Sequence, residues 1–199
     1  GLHLAVLIVA VLGSLIITGE YSTGMIRATF GAVPRRTGAL AGKAVVLAVT
    51  TFVAALIGIW TSALITWPIL AAKNVAVELG EPSVFLPLIG GALYLTMIAL
   101  LAFALGTILR STAGALATVL GLILVAPVIL EILRALTEAT WVANVSAVLP
   151  QNAGSHLFTY GDGSGGFGPS APGAWTLNGW QGFAVLLAWD VVLLAIALI

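Results

Sequence analysis

The chain has 199 residues, 61% of them hydrophobic and 7% charged, with a mean hydropathy of +1.19 and a formal net charge of zero. A soluble domain carries roughly 25% charged residues and could not hide this much apolar surface from water. The balanced charge speaks against a basic nucleic-acid-binding face, and the lack of cysteine excludes disulfides, thiolate metal sites and cysteine nucleophiles.

A hydrocarbon core of about 30 Å is crossed by about 20 apolar residues. The first predicted span runs from about Leu2 to Thr18. A loop over residues 19–43 follows, in which Met25, Ile26, Thr29, Phe30 and Val33 fall near a 3/4 spacing and give one apolar helical face. Pro34 disfavours helical geometry at Val33 and ends that helix. The expectation is a short amphipathic helix on the membrane surface, with Arg27, Arg35, Arg36 and Lys43 able to meet anionic headgroups. Read plainly, it is a loop obeying the positive-inside rule; read more sharply, it is a docking element for a cytoplasmic partner.

The second predicted span covers about Ala44 to Trp67, the third about Phe85 to Leu109, and the fourth about Ala113 to Leu133. Residues 134–182 form a long loop whose Gly/Ser/Pro-rich part, Gly161 to Gly173, reads as flexible, and the last span runs from about Phe183 to Ile199. None of these runs alternates apolar and polar residues as barrel strands do, and only helices or closed barrels satisfy backbone groups in lipid. The expected fold is an all-α integral membrane protein, one polytopic helical bundle. The sequence starts without Met and both starts and stops inside apolar runs, so a longer protein is expected.

The loop 19–43 and the connection at Arg110 hold five of the seven basic residues, and the positive-inside rule places them in the cytoplasm. The segments around 68–84 and 134–182 are then external. Trp60, Trp67, Trp141, Trp175 and Trp180 fall near the interfaces, as amphipathic rings prefer. Small residues recur every four positions at Ala54, Gly58 and Ser62 and at Ala113, Ala117 and Gly121, rows that let helices approach closely in a bundle or an oligomer.

Gly19-Glu20-Tyr21-Ser22-Thr23-Gly24, an apolar stretch, Val33-Pro34-Arg35-Arg36 and Lys43 opening the next span resemble the permeases of ABC-2 type transporters, especially small actinobacterial-style members. Leu109-Arg110-Ser111-Thr112-Ala113-Gly114 and Leu149-Pro150-Gln151-Asn152-Ala153-Gly154 are similar to further stretches of that family, so the resemblance covers nearly the whole chain. It implies six spans in the full-length protein, the five here being the second to the sixth, with short re-entrant helices in the external segment. It also implies that Glu20 to Phe30 is a coupling helix seated on ATPase subunits, so that Glu20, Tyr21, Thr23, Met25, Arg27, Phe30, Arg35 and Arg36 are the coupling residues. The partners implied are two cytoplasmic ATPase subunits, which hold the ATP and Mg, and a second permease, identical or homologous. The chain itself would carry no cofactor and no enzymatic activity, and would sit in the inner (plasma) membrane.

Other chemistries find little support. Gly38 to Ala44 has one residue too few between its glycines for a phosphate-binding loop and lacks the Ser/Thr. His3 and His156 are far apart in sequence, which disfavours a catalytic metal site. Ser155 beside His156 is adjacency without an orienting acid. Asn144-Val145-Ser146 fits a glycosylation sequon, a tripeptide too common to identify a host. Asp190 falls in the middle of the last span, where a charge is expensive, and Glu131 near the outer end of the fourth; both are candidate pathway or bundle-interior polar groups. The expected function is an ATP-driven exporter subunit for a hydrophobic or amphiphilic cargo. The alternatives are a proton-coupled secondary transporter working through Asp190, or a non-transporting membrane scaffold or immunity protein.

Overall fold

The computed structural model describes residues 1–23, 36–72, 82–137, 139–159 and 175–198. These residues form helices and no strands. The helices are α1 (Leu2–Thr23), α2 (Arg36–Ala71), α3 (Pro82–Leu109), α4 (Thr112–Leu120), a π-helical turn (Gly121–Val125), α5 (Ala126–Thr137), α6 (Thr140–Val148), α7 (Pro150–Ser155) and α8 (Gly179–Leu198). Five stretches are long and apolar enough to cross a membrane, with α4, the π turn and α5 together making the fourth. The chain is a multi-pass helical membrane protein.

Helix α3 is the hub. Of its apolar window 72% is buried, against 11% for α2 and for the fourth span and 17% for α8. It packs against α1, α2, α4 and α8, while α1 and α2 both lean on it rather than on each other. A helix apolar on every side belongs in the middle of such an assembly. Outward-facing Val45, Ile57, Ile65, Val128, Ile132 and Val191 are more than half exposed in the isolated chain, a surface only lipid tolerates.

Small residues bring α1 and α3 together. A Cβ added at Gly13 would lie 2.5 Å from the Ala99 carbonyl oxygen, and one at Gly106 would lie 2.7 Å from Ile17 Cγ2. Ala10, Ser14 and Ala102 are fully buried beside this crossing. The buried hydroxyls return to their own helix, Ser14 Oγ donating to the Val11 carbonyl (2.8 Å) and Thr18 Oγ1 to the Ser14 carbonyl (2.9 Å). Lipid offers them no alternative partner. The small-residue rows noted from the sequence serve elsewhere. Ala54, Gly58 and Ser62 line an open groove of about 860 Å³ between α1 and α2, and Ala113 and Ala117 face outward.

Helix boundaries differ from those read off apolarity. Helix α1 continues through Gly19 to Thr23 rather than stopping near Thr18, because helical hydrogen bonding does not require apolar side chains. Glu20 and Tyr21 are therefore the last turn of α1 and not the start of a separate helix. Helix α2 begins at Arg36, ahead of the expected Ala44, and its 36 residues reach about 54 Å at 1.5 Å each. That exceeds a hydrocarbon core of about 30 Å, so α2 is tilted or stands partly outside it. Met25, Arg27, Phe30 and Arg35, the glycine-rich stretch 161–173 and most of the loop 68–84 lie outside the described residues.

Candidate functional site

Glu20, Lys43 and Arg110 lie at one pole of the bundle. Glu20, on the last turn of α1, forms an ion pair with Lys43 of α2, both side chains one-quarter exposed. Lys43 is one turn past Leu40, which is buried with Ile17 and Phe103 in the cluster that closes this pole. The pair therefore ties the last turn of α1 to an early turn of α2. Beside it the Arg110 guanidinium stands 6.0 Å above the Tyr21 ring, within reach of a cation–π attraction.

Arg110 occupies the two-residue connection between α3 and α4 with a φ of 51°, the left-handed conformation that side chains other than glycine rarely adopt. Its backbone N–H donates to the Gly106 carbonyl (3.1 Å), ending α3 in the manner of a left-handed C-cap. Ser111 then caps α4, its Oγ accepting from the Gly114 N–H at 3.4 Å. The chain thus turns α3 into α4 within two residues and holds a cation over Tyr21. The ends of α1, α3 and α4 are joined there, and Lys43 adds an early turn of α2.

At the opposite pole, α6 and α7 fold back between the fourth and fifth spans. Helix α7 is wedged between α3 and α8 by three glycines. A Cβ at Gly154 would overlap the Tyr94 ring, one at Gly90 the Leu157 carbonyl, and one at Gly182 the Ala153 carbonyl. Asn152 Nδ2 donates to the Ser146 carbonyl (2.9 Å) and to Ser146 Oγ (2.8 Å), locking the corner between α6 and α7. Trp189 Nε1, which the sequence reading left out of the interface belt, donates to the Val148 carbonyl (3.1 Å) and ties α8 to α6.

These bonds also dispose of two motifs. Ser155 Oγ donates to the Asn152 carbonyl (2.6 Å), so its proton is not directed at His156. His156 Nδ1 is buried without a partner among the described residues, and burial holds its pKa below the ordinary histidine value. The sequon lies inside helix α6, where Ser146 is buried and the Asn144 side-chain oxygen accepts from the Trp175 N–H (2.9 Å).

Asp190 is 3% exposed, and neither carboxyl oxygen has a hydrogen-bond partner among the described residues. One turn before it, Leu186 packs beside Tyr94 and Gly154; one turn after it, Leu194 packs on the cluster holding Ala99 and Phe103. Asp190 therefore faces α3 in the interior of the bundle. Glu131 differs: it is half exposed and accepts from Arg134 Nη2 at 2.7 Å, a partner that the sequence reading had not assigned to it. Comparison with known protein families, with characterised proteins and with solved structures finds no match, so the likeness to ABC-2 permeases rests on the motifs quoted from the sequence.

Proposed function

We propose that this chain is the permease subunit of an ABC-2 type exporter, forming the translocation path and driven by two separate ATPase subunits that bind ATP and Mg. In this reading the pole carrying Glu20 is cytoplasmic, the membrane is the cell's inner membrane, and the partner in the bilayer is a second permease. The helices α6 and α7 act as the re-entrant elements of the outer face. The observation that carries the reading is the clasp of Glu20 with Lys43, reinforced by Arg110 over Tyr21. A coupling element transmits force only if its two ends are tied to the spans it moves. In support of this, the last turn of α1 is tied to an early turn of α2 through Lys43 and to the turn between α3 and α4 through Arg110.

The test is purification of the full-length protein with its neighbouring subunits in mild detergent, followed by mass spectrometry and an ATPase assay. An ATPase should co-purify, and Glu20→Ala with Arg27→Ala should lose or uncouple it. A stable bundle recovered with no ATPase would sink the proposal.

One observation favours a second reading. The buried carboxyl of Asp190, without a partner among the described residues, suits a proton-coupled transporter. In that case Asp190→Asn abolishes transport driven by a pH gradient, and transport is indifferent to ATP. Under the ABC-2 reading, collapsing the gradient leaves ATP-driven transport intact.

A further inference from the structure

A small chamber of about 90 Å³ lies between α1, α3, the π-helical turn and α7. Leu4, Val6 and Leu7 of α1, Ile123 and Leu124 of the π turn and the Phe158 ring form its apolar walls, and His3, Tyr94, Gln151 and Ser155 add polar groups. The side-chain oxygen Oε1 of Gln151 is buried and has no hydrogen-bond partner among the described residues. A buried amide oxygen is costly unless a donor reaches it. The fold gives Gln151 little freedom to turn away, because α7 is held by the close approaches at Gly90, Gly154 and Gly182.

We infer that this partly open chamber is a hydration site, in which water bridges Gln151 Oε1 to the polar groups of Ser155 and Tyr94. The volume admits about three waters at ~30 Å³ each, and a buried water needs two to four polar partners. Gln151 supplies an acceptor, and Ser155 Oγ, already donating to the Asn152 carbonyl, keeps accepting capacity. The site takes small hydrogen-bond donors and its size excludes large ones, and apart from His3, Tyr94, Gln151 and Ser155 its walls are apolar. The π turn contributes directly. Its wider loop, closed by the Ala126 N–H donating to the Gly121 carbonyl, carries Ile123 and Leu124 along the chamber wall, and such turns recur at functional positions.

The experiment is hydroxyl-radical footprinting of the full-length complex in lipid nanodiscs, with radicals generated from water by a short X-ray pulse and read per residue by mass spectrometry. Tyr94 is 2% exposed, so bulk water cannot label it, whereas water in the chamber lies against it. Tyr94 should be modified to an extent comparable with half-buried Tyr21, and Gln151→Met, which keeps the length and removes the amide, should lower that several-fold with Tyr21 unchanged. Ser155→Ala serves as the second variant if Gln151→Met fails to fold. A Tyr94 left unmodified in the wild type would show the chamber to be dry, and modification unchanged in both variants would show that these groups hold no water. Either result overturns the inference.

Discussion

Glu20 and Lys43 lie twenty-three positions apart and meet as an ion pair between the last turn of α1 and the early turns of α2. An exposed pair of this kind is worth about 0–1 kcal/mol. Partial burial beside Leu40 and Ile17 raises the cost of leaving either charge alone. The predicted behaviour is that of a clasp. Lys43→Ala and Glu20→Ala each lower the thermal midpoint of the full-length protein by a few degrees and, under the proposed ABC-2 reading, lower transport-coupled ATPase activity more strongly. The swap Glu20→Lys with Lys43→Glu recovers most of both, measured by thermal unfolding and by ATPase assay in vesicles. Recovery of stability without recovery of coupling would make the pair purely structural.

Arg110 carries two effects that substitutions can separate. Its left-handed backbone costs about 1–2 kcal/mol for a residue with a Cβ, and its guanidinium returns about 0.5–1 kcal/mol over Tyr21. Arg110→Gly removes both and should leave stability unchanged or raised by up to about 1.5 kcal/mol. Arg110→Ala keeps the strain, loses the cation and should destabilise by about 0.5–1 kcal/mol. Chemical denaturation of the two variants beside the wild type reads the difference. If the two variants are equally stable, the backbone strain at Arg110 is not a real cost.

The existence of the five spans was legible because bilayer thickness imposes a length on apolar runs. Their ends were not, since helix geometry runs on through Gly19 to Thr23 and back to Arg36 without regard to polarity. One end did carry a readable sign. Asn178 and Gln181 exchange hydrogen bonds between side chain and backbone (2.9 and 3.0 Å), a reciprocal cap at the start of α8, four residues before the apolar run that marked it in the sequence. Which span sits in the centre could not be read, because all five are apolar throughout; the decisive residues are Ala99, Ala102 and Gly106, which fit against α1. The rows at Ala54 and Ala113 have the same spacing and face outward. Spacing reports that a close approach is possible, not which helix makes it. The Glu20–Lys43 pair depends on the chain returning to its starting pole, so it was hidden until the helices were placed.

Gly154 faces the Tyr94 ring so closely that any Cβ overlaps it, and Tyr94 is itself held against Phe158 with ring centroids 5.3 Å apart. Gly154→Ala should therefore destabilise by about 1–3 kcal/mol, the usual range for overpacking, despite the better helix propensity of alanine. Combining it with Tyr94→Leu should return part of the loss, since the obstructing ring is gone. The double-mutant cycle in thermal unfolding measures this, and strict additivity of the two changes would refute the steric account.

His156 gives the fold a defined acid sensitivity. Its pKa is depressed by burial, and its Nδ1 has no partner among the described residues. Protonation therefore favours the unfolded chain, where the imidazole is solvated and titrates near its ordinary value of about 6.5. Above that value both states hold a neutral ring, and the group adds no pH dependence. As pH falls through the ordinary value, the unfolded state takes up its proton first and stability declines, until the folded-state pKa is reached and the slope flattens. His156→Gln removes the titration and keeps a polar side chain beside Gly179 and Gly182. Thermal midpoints recorded from pH 8 to pH 5 should fall on acidification more steeply for the wild type than for His156→Gln, with the two curves parallel above pH 7. Curves that stay parallel across the whole range would mean that the imidazole reaches water freely, and that the corner beyond α7 is looser than its packing against α8 indicates.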